Sequence, residues 1–351
     1  MTNSTIRVRF APSPTGTLHI GSARSALYNW LAARHAGGVY VLRIEDTDQE
    51  RSTAANVDQA MRVFRWLGLD WDEGPGIEGP YAPYVQSERS GMYEAALDKL
   101  IAREMAYPCF CTREELDAER ARRQEAGLPL VYGGRCRDLS QSEREARTAA
   151  GDASVVRLRV PLDQTTTFDD LILGEMSFDN ALIGDIVVAR QDRSPLYNLA
   201  NVVDDAAMQI TCVIRGNDHV SNTPKQILIY SALGYEPPQF AHIPMILGPD
   251  GAKLSKRRHH TADVEQLASA GYLPEAVRNG LALMGWNRDE DTTVMSTEEM
   301  VAAFDITRVR KSPAAVDFDK LRHINAVHMR GLSPQRWACL LYTSPSPRDA
   351  T

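Results

Sequence analysis

The segment APSPTGTLHIGS, Ala11–Ser22, decides the fold of this chain. It follows Ile6–Phe10, where apolar and basic residues alternate, and precedes Ala23–His35, where large apolar residues recur at helical spacing. This order predicts a strand, a loop and a helix. The loop glycines let backbone approach a ligand closely, and the helix start offers unpaired amides to phosphate. The segment therefore predicts a polyphosphate site, although alone it also fits an ordinary strand-to-helix turn.

Strands and helices continue to alternate on both sides of the middle of the chain. A β-branched run at Val39–Glu45 precedes a helical pattern over Ala54–Leu67, and a buried strand at Met208–Gly216 precedes a helix over Thr223–Leu233. Such alternation indicates a parallel sheet with helical crossovers. We therefore predict an α/β fold.

The middle of the chain has a different character. Thr112–Ala150 is dense in Glu and Arg, whereas Val155–Val188 reads as strands punctuated by glycine. The simplest interpretation is an inserted module of mixed structure that splits the first domain. The expected domains are 1–86 with 181–234, the insertion 87–180, a mostly helical region 235–331, and 332–351, which begins a further helix and ends in a polar tail.

Composition narrows the class of protein. The 351 residues favour two or three domains, and the longest apolar runs are shorter than the roughly 18 residues of a membrane-spanning helix. The N-terminus resembles neither a signal peptide nor a transit peptide. Five cysteines, an odd number, do not suggest a disulfide framework. The net charge of −7 makes any polyanion site a regional one. We expect a cytoplasmic protein without membrane contact.

A second motif, KLSKR at Lys253–Arg257, changes the interpretation of the first. Two lysines bracket a serine, and their ammonium groups would neutralise a departing pyrophosphate. Alone, this run is better explained as a solvated basic loop. Together with LHIG, whose His19 adds a donor, it favours nucleotidyl transfer.

The two motifs resemble the HIGH and KMSKS signatures of class I aminoacyl-tRNA synthetases, and the chain is most similar to glutamyl-tRNA synthetases. The resemblance covers about Arg7 to Arg330 and also includes RIEDTD (Arg43–Asp48), NVVDD (Asn201–Asp205) and VIRGNDH (Val213–His219). Ser22 replaces the second histidine of the HIGH pattern, and Arg257 stands where many relatives have serine. The family continues into a helical anticodon-binding region, so a chain that stops soon after Leu332 is expected to be C-terminally truncated.

The resemblance implies a Rossmann-like catalytic domain split by an acceptor-binding insertion, then a stem-contact domain carrying KLSKR and the start of a helical anticodon-binding domain. It implies a monomeric glutamate–tRNA ligase. Such an enzyme activates L-glutamate with ATP and Mg(II), once tRNA is bound, and transfers the glutamyl group from its adenylate to the 3′ end of tRNA(Glu). Whether tRNA(Gln) is also charged is left open.

The family also implies the residues of the site. Those around glutamate are Arg9, Ala11, Ser13, Glu45, Tyr197, Asn201 and Arg215. Those around ATP are Gly16, His19, Gly21, Ser22, Lys253, Ser255 and Lys256, of which His19, Lys253 and Lys256 are catalytic. The chemistry agrees, because arginine can grip a carboxylate through two parallel hydrogen bonds and Glu45 can receive the substrate ammonium. Which arginine takes which carboxylate stays open. Tyr197 and Asn201 could also simply pack as an i, i+4 pair.

Three cysteines have metal-like spacing. Cys109, Cys111 and Cys136 offer soft ligands for structural Zn(II), and Asp138 or Tyr132 could supply a fourth. Some relatives carry CxC followed by CxH, whereas here Asp138, a harder donor, stands at the last position. Three reduced thiols without metal are the alternative.

Acidic residues near the site have less specific interpretations. Glu45 has its substrate role by resemblance, so we prefer Asp46 and Asp48 as loop braces or tRNA contacts over a two-metal site. Asp204 and Asp205 could hold a helix end or orient Arg215.

Two rival functions remain. A glutamyl-queuosine tRNA(Asp) synthetase shares the catalytic core but lacks the downstream helical region. The stretches Tyr272–Trp286 and Asp305–Asn325 therefore favour the full synthetase. A non-catalytic tRNA-binding paralogue is disfavoured by the intact LHIG and KLSKR blocks.

Overall fold

A computed structural model describes residues 5–14, 18–47, 53–77, 79–252, 254 and 263–343. Its strands are β1 Arg7–Phe10, β2 Val39–Leu42, β3 Ala106–Cys109, β4 Val155–Leu158, β5 Thr165–Asp170, β6 Gly174–Asp179, β7 Val187–Ala189, β8 Cys212–Gly216, β9 Gln239–Ile243, β10 Ile246–Leu247 and β11 Ala314–Ala315. Its helices are α1 Ile20–His35, α2 Ala54–Trp66, α3 Ser90–Ala102, α4 Arg113–Glu125, α5 Gln141–Ala149, α6 Asn180–Ile183, α7 Tyr197–Ala207, α8 Thr223–Leu233, α9 Val264–Ser269, α10 Pro274–Leu283, α11 Thr297–Ala303, α12 Phe318–Arg330 and α13 Pro334–Thr343. Within these ranges, every helix is too short or too polar to cross a bilayer.

The largest sheet has six strands in the order β2-β1-β8-β9-β5-β6. All neighbouring pairs are parallel except β5 with β6, which form an antiparallel hairpin. Helix α1 crosses from β1 to the parallel strand β2, and its Ile20, Leu27 and Leu31 are fully buried. The predicted α/β fold with a parallel sheet is confirmed.

The β5–β6 hairpin departs from the expected division of the chain. It falls within the insertion predicted over 87–180, yet β5 pairs with β9 of the main sheet. Phe168 packs against Phe240 at 5.7 Å between ring centroids, and the Leu171 amide donates to the Phe240 carbonyl at 2.8 Å. Strands β3, β4 and β7 form a separate antiparallel sheet. A short half-polar strand does not reveal which sheet it will join, because partner choice depends on tertiary packing.

Two element boundaries also differ from prediction. The strand expected from Met208 begins at Cys212, because α7 runs to Ala207 and the chain then turns through Gln209 with φ of 53°. Helix α1 begins at Ile20 instead of Ala23, because His19 caps it. Capping depends on one side chain and is invisible to hydrophobic periodicity.

The downstream helical region shares a core with the main sheet. Tyr28 of α1 packs against Phe304, which in turn contacts the fully buried Trp286. The Tyr28 hydroxyl donates to the Ala282 carbonyl at 2.9 Å. Arg24, also on α1, donates to the carbonyls of Met284, at 2.6 Å, and of Pro244. Helix α1 therefore connects the main sheet with the downstream helices α10 and α11.

Candidate active site

A cleft of about 720 Å³ lies where the parallel strands β1 and β8 end. Ligands of open parallel sheets bind at the carboxyl ends of the strands. Ten residues predicted for glutamate or ATP line this one cleft: Arg9, Ala11, Ser13, His19, Gly21, Ser22, Glu45, Tyr197, Asn201 and Arg215. Residues more than 200 positions apart in the sequence, such as Arg9 and Arg215, thus line the same cleft.

Several predicted residues fall outside the part of the chain that the structure describes. Gly16, Asp48, Lys253, Ser255 and Lys256 lie outside the described residues. Leu254, between the two lysines, is described, is buried, and lines the cleft. The structure thus brings one position of the KLSKR motif to the cleft.

His19 occupies the N-cap of α1. Its Nδ1 accepts a hydrogen bond from the Gly21 amide at 3.1 Å. An accepting Nδ1 puts the proton of the neutral ring on Nε2. The LHIG motif therefore presents an imidazole N–H beside a helix N-terminus, and both favour an anion.

A buried ion network holds three of the predicted glutamate-binding residues, Arg9, Glu45 and Asn201. Asp205 receives Arg9 Nε at 3.1 Å and Arg43 Nη1 at 2.6 Å, both on its Oδ1. Arg43 Nη2 lies 3.0 Å from Glu45 Oε1, which also accepts from Asn201 Nδ2 at 3.2 Å. Burial raises the pKa of Asp205, but the charges of Arg9 and Arg43 outweigh it and lower that pKa. Glu45 is therefore held as an oriented carboxylate at the cleft wall.

The neighbouring Asp204 belongs to a different part of the network. It accepts from Arg89 Nε at 2.6 Å, Gln86 Nε2 at 2.7 Å and Tyr93 Oη at 3.0 Å. Neither Asp204 nor Asp205 hydrogen-bonds Arg215 in the described part of the chain, and Asp205 acts on Arg215 only through its charge. Asp46, by contrast, accepts from the amide and hydroxyl of Ser87, as a loop brace would.

Arg215 is held by uncharged groups. Its Nε donates to His242 Nε2 at 3.2 Å, and its Nη2 donates to Thr223 Oγ1 and Gln226 Oε1, each at 2.8 Å. Its Nη1 is buried and has no hydrogen-bond partner among the described residues. No described carboxylate forms a salt bridge with it, and burial lowers its pKa. The guanidinium therefore has one donor nitrogen, Nη1, without a partner and no direct counter-ion among the described residues.

Tyr197 contacts His219, a residue that was not among the predicted site residues. Its Oη lies 3.1 Å from Nδ1 of His219, which also lines the cleft. Burial and then the charge of Arg215 lower the pKa of His219 to about 4. His219 lies inside the VIRGNDH block, so the signal was present in the sequence. Arg43, in RIEDTD, was also not predicted as a site residue. It connects Asp205 with Glu45, and that contact depends on the distant Asp205.

The three cysteines come together in the smaller antiparallel sheet. Their sulfurs all lie within 4.8 Å of one another, with Cys111 Sγ 3.5 Å from Cys136 Sγ. Tyr132 Oη lies 3.5 Å from Cys109 Sγ and 3.6 Å from Cys111 Sγ. The Asp138 side chain is 90% exposed, faces Arg159 at 4.0 Å, and is not part of the group. Of the two fourth ligands considered, the geometry supports Tyr132 and contradicts Asp138.

Comparisons with known proteins show the family to which the chain is similar. The family model for tRNA synthetases class I (E and Q), catalytic domain, matches residues 5–323. The chain is 49% identical over 335 residues to a glutamate–tRNA ligase of Heliobacterium modesticaldum, covering 95% of this chain and 67% of the relative. It is 50% identical over 329 residues to glutamate–tRNA ligase 1 of Syntrophomonas wolfei, covering 94% and 66%.

Solved structures give the same result. A crystal structure of a glutamate tRNA ligase from Elizabethkingia meningosepticum, in complex with its amino acid, superposes with a TM-score of 0.87 at 34% identity, over 98% of this chain and 74% of that one. The chain spans about two thirds of the length of the curated relatives it matches.

Proposed function

Because this chain belongs to the class I tRNA synthetases for glutamate and glutamine, and among them to the glutamate–tRNA ligases, we propose that it activates L-glutamate with ATP and transfers the glutamyl group to the 3′ end of tRNA(Glu). The family resemblance carried by LHIG and KLSKR is thereby confirmed. The observation that supports the proposal most directly is Arg215. Its buried guanidinium has no salt-bridge partner among the described residues, and its Nη1 has no hydrogen-bond partner among them, which suits a substrate carboxylate.

The other residues of the cleft complement an amino acid with two carboxylates. Arg9 supplies a second guanidinium, and Glu45 supplies a carboxylate for the substrate ammonium. Asn201 steadies Glu45, and Tyr197, whose hydroxyl lies 3.1 Å from His219 Nδ1, lines the same cleft. Two positive groups and one negative group match the charges of glutamate, whereas glutamine lacks one of the two carboxylates. Charge matching in a buried site therefore favours glutamate.

The nucleotide part of the proposal rests on the loop after β1. The α-carboxylate of glutamate attacks the α-phosphorus of ATP, and the bond to pyrophosphate breaks. His19, through Nε2–H, and the amides at the start of α1 stabilise the charge that develops. Lys253 and Lys256 are proposed to neutralise the departing pyrophosphate. Mg(II), which accompanies ATP, would supply positive charge that offsets the charge of the phosphates. Gly16, Gly21, Ser22 and Ser255 complete the proposed ATP site.

The second half-reaction needs no further protein nucleophile. A hydroxyl of the terminal adenosine of tRNA attacks the activated carbonyl, and AMP leaves. Both steps depend on positioning and electrostatics. We propose that the insertion over 87–180 binds the acceptor end and that 235–331 contacts the stem. The remaining proposed domains are 1–86 with 181–234 for catalysis and 332–351 as the beginning of an anticodon-binding region. A monomer acting in the cytoplasm completes the proposal.

We also propose that Cys109, Cys111, Cys136 and Tyr132 hold a structural Zn(II). Three thiols and one phenol oxygen around a common point provide four donors, as closed tetrahedral sites require. The metal would tie the end of β3 to the loop that carries Tyr132 and Cys136. No step of the reaction depends on it.

The test is exchange of pyrophosphate into ATP. The chain, and a version extended as in its relatives, are assayed with glutamate, glutamine and aspartate, with and without tRNA(Glu). We expect exchange with glutamate that depends on tRNA and is abolished in Lys256→Ala. Absence of exchange under every condition contradicts the proposal. Transfer of glutamate to tRNA(Asp) in preference to tRNA(Glu) would indicate the glutamyl-queuosine type of enzyme instead.

A further inference from the structure

A buried line of side chains extends from the cleft into the sheet behind it. Arg215 Nε donates to His242 Nε2 at 3.2 Å, and His242 Nδ1 lies 2.6 Å from Asp170 Oδ2. All three residues are at most 6% exposed. Of the three, only Arg215 reaches the cleft. Asp170 and His242 therefore contact the site through Arg215.

The sheet explains why these residues meet. Arg215 is on β8, His242 on β9 and Asp170 at the end of β5, and these strands are adjacent in the order β8-β9-β5. Arg215 and His242 are direct register partners. The line therefore runs across three parallel strands at their carboxyl ends. The β5–β6 hairpin, which comes from the predicted insertion, supplies the last member.

Hydrogen-bond geometry determines the protonation of His242. Two donors converge on its Nε2: the Nε–H of Arg215 at 3.2 Å, and the hydroxyl of Thr223 at 3.0 Å, whose oxygen accepts from Arg215 Nη2. Nε2 must therefore accept, and the ring proton lies on Nδ1, where it is donated to Asp170. Burial lowers the pKa of His242, which agrees with a neutral ring.

Asp170 is itself held firmly. Its Oδ1 accepts from the amides of Ile172 and Leu173 at 2.9 and 2.8 Å, and its Oδ2 accepts from the His242 amide at 3.1 Å. A carboxylate with this many backbone donors has one orientation. It imposes that orientation on the imidazole, as carboxylates do for the histidines of other sites.

We propose that Asp170 and His242 are positioning residues that fix the guanidinium of Arg215 so that Nη1 faces the carboxylate of the amino-acid substrate. An arginine side chain has many rotamers, and a free guanidinium would lose that freedom on binding glutamate. The line removes the freedom beforehand and leaves Nη1 as the guanidinium nitrogen without a partner among the described residues. This inference rests on the proposed function, because it assumes that Arg215 binds glutamate.

The experiment compares His242→Leu, which removes the acceptor, with His242→Gln, whose side-chain oxygen can still accept from Arg215 Nε. The Michaelis constants for glutamate and ATP are measured by tRNA-dependent pyrophosphate exchange, and glutamate binding is measured independently by calorimetry. We expect His242→Leu to raise KM for glutamate about tenfold or more, with KM for ATP within about twofold. His242→Gln should recover most of the affinity.

His328→Leu is the matched control, because this partly buried histidine bonds Asn279 in the helical region and does not line the cleft. It should leave the glutamate affinity measured by calorimetry unchanged. A folded His242→Leu protein with normal glutamate affinity would overturn the inference.

Should His242→Leu fail to fold, the nearly isosteric Asp170→Asn protein provides the test. It should raise KM for glutamate severalfold, and its effect should not add to that of His242→Gln, because both act on Arg215 by one route. Unchanged or fully additive constants would also overturn the inference. An inactive wild type that binds no glutamate contradicts the proposed function instead, so the two failures are distinguishable.

Discussion

Arg9 and Asp205 form a buried ion pair, with 3.1 Å between Nε of the arginine and Oδ1 of the aspartate. They are 196 positions apart in the chain. Arg43 shares the same carboxylate and reaches Glu45 with its other nitrogen. One buried aspartate thus holds, directly or through Arg43, two residues proposed to bind glutamate.

Asp205→Asn should therefore destabilise the protein and the glutamate site together. Two buried guanidinium groups lose their shared counter-ion, and removal of one partner from a buried pair costs about 3–5 kcal/mol. Urea unfolding at neutral pH measures the change. Asp152→Asn is the control, because its pair with Arg147 is exposed and should contribute less than about 1 kcal/mol.

The stabilisation by Asp205 should depend on pH in a defined direction. Its pKa in the folded protein is below the ordinary 3.8, so the contribution is complete above that value and is lost as pH falls through the folded-state pKa. The difference in unfolding free energy between wild type and Asp205→Asn should be largest near neutrality and shrink on acidification below about pH 4. A difference that grows in acid would contradict this assignment.

The substitution His19→Asn should distinguish the contribution of His19 to the helix cap from its proposed contribution to catalysis. Asparagine is a good N-cap residue and can accept the Gly21 amide hydrogen bond, but it lacks the Nε2–H donor. We expect unfolding free energy to change by less than about 1 kcal/mol. The turnover number of pyrophosphate exchange should fall about 100-fold or more, because one donor to the transition state is lost. Normal turnover would remove His19 from the proposed catalytic residues.

Metal content should distinguish the two candidate fourth ligands. We expect about one zinc per chain by elemental analysis, and loss of that zinc in Cys136→Ser. Tyr132→Phe should release zinc to a chelator faster than wild type, whereas Asp138→Asn should not differ from it, because its side chain is 90% exposed. A wild-type protein without zinc, prepared in metal-containing medium, would favour three reduced thiols.

Two arginines on one helix should contribute unequally to stability. Arg24→Met leaves the carbonyls of Pro244 and Met284, both on buried residues, without their donor, and each charged hydrogen bond is worth about 1.5–3 kcal/mol. Arg34→Met breaks a partly exposed pair with Asp72, worth less than about 1 kcal/mol. Thermal unfolding of the two variants provides the comparison. Equal changes would mean that Arg24 does not connect α1 with the downstream helices.

Features that depend on neighbouring residues could be predicted from the sequence. The strand, loop and helix around LHIG, the helix Thr223–Leu233 and the residue types for a carboxylate-binding site all follow from neighbouring residues. Periodicity and glycine act over a few positions, so a sequence displays them directly. Boundaries that depend on a single cap or turn, such as the start of α1 at Ile20, were displaced by a few residues.

The sequence by itself therefore determined the α/β class and predicted ten of the residues that line the cleft. Only the tertiary structure decided which groups hold those residues. It joined the β5–β6 hairpin to the main sheet, which put Asp170 behind His242 and Arg215. It turned Asp138 toward solvent and Tyr132 toward the cysteines. The physical reason is that backbone conformation is set locally. Contacts between residues tens or hundreds of positions apart depend instead on which strands pair and in what register.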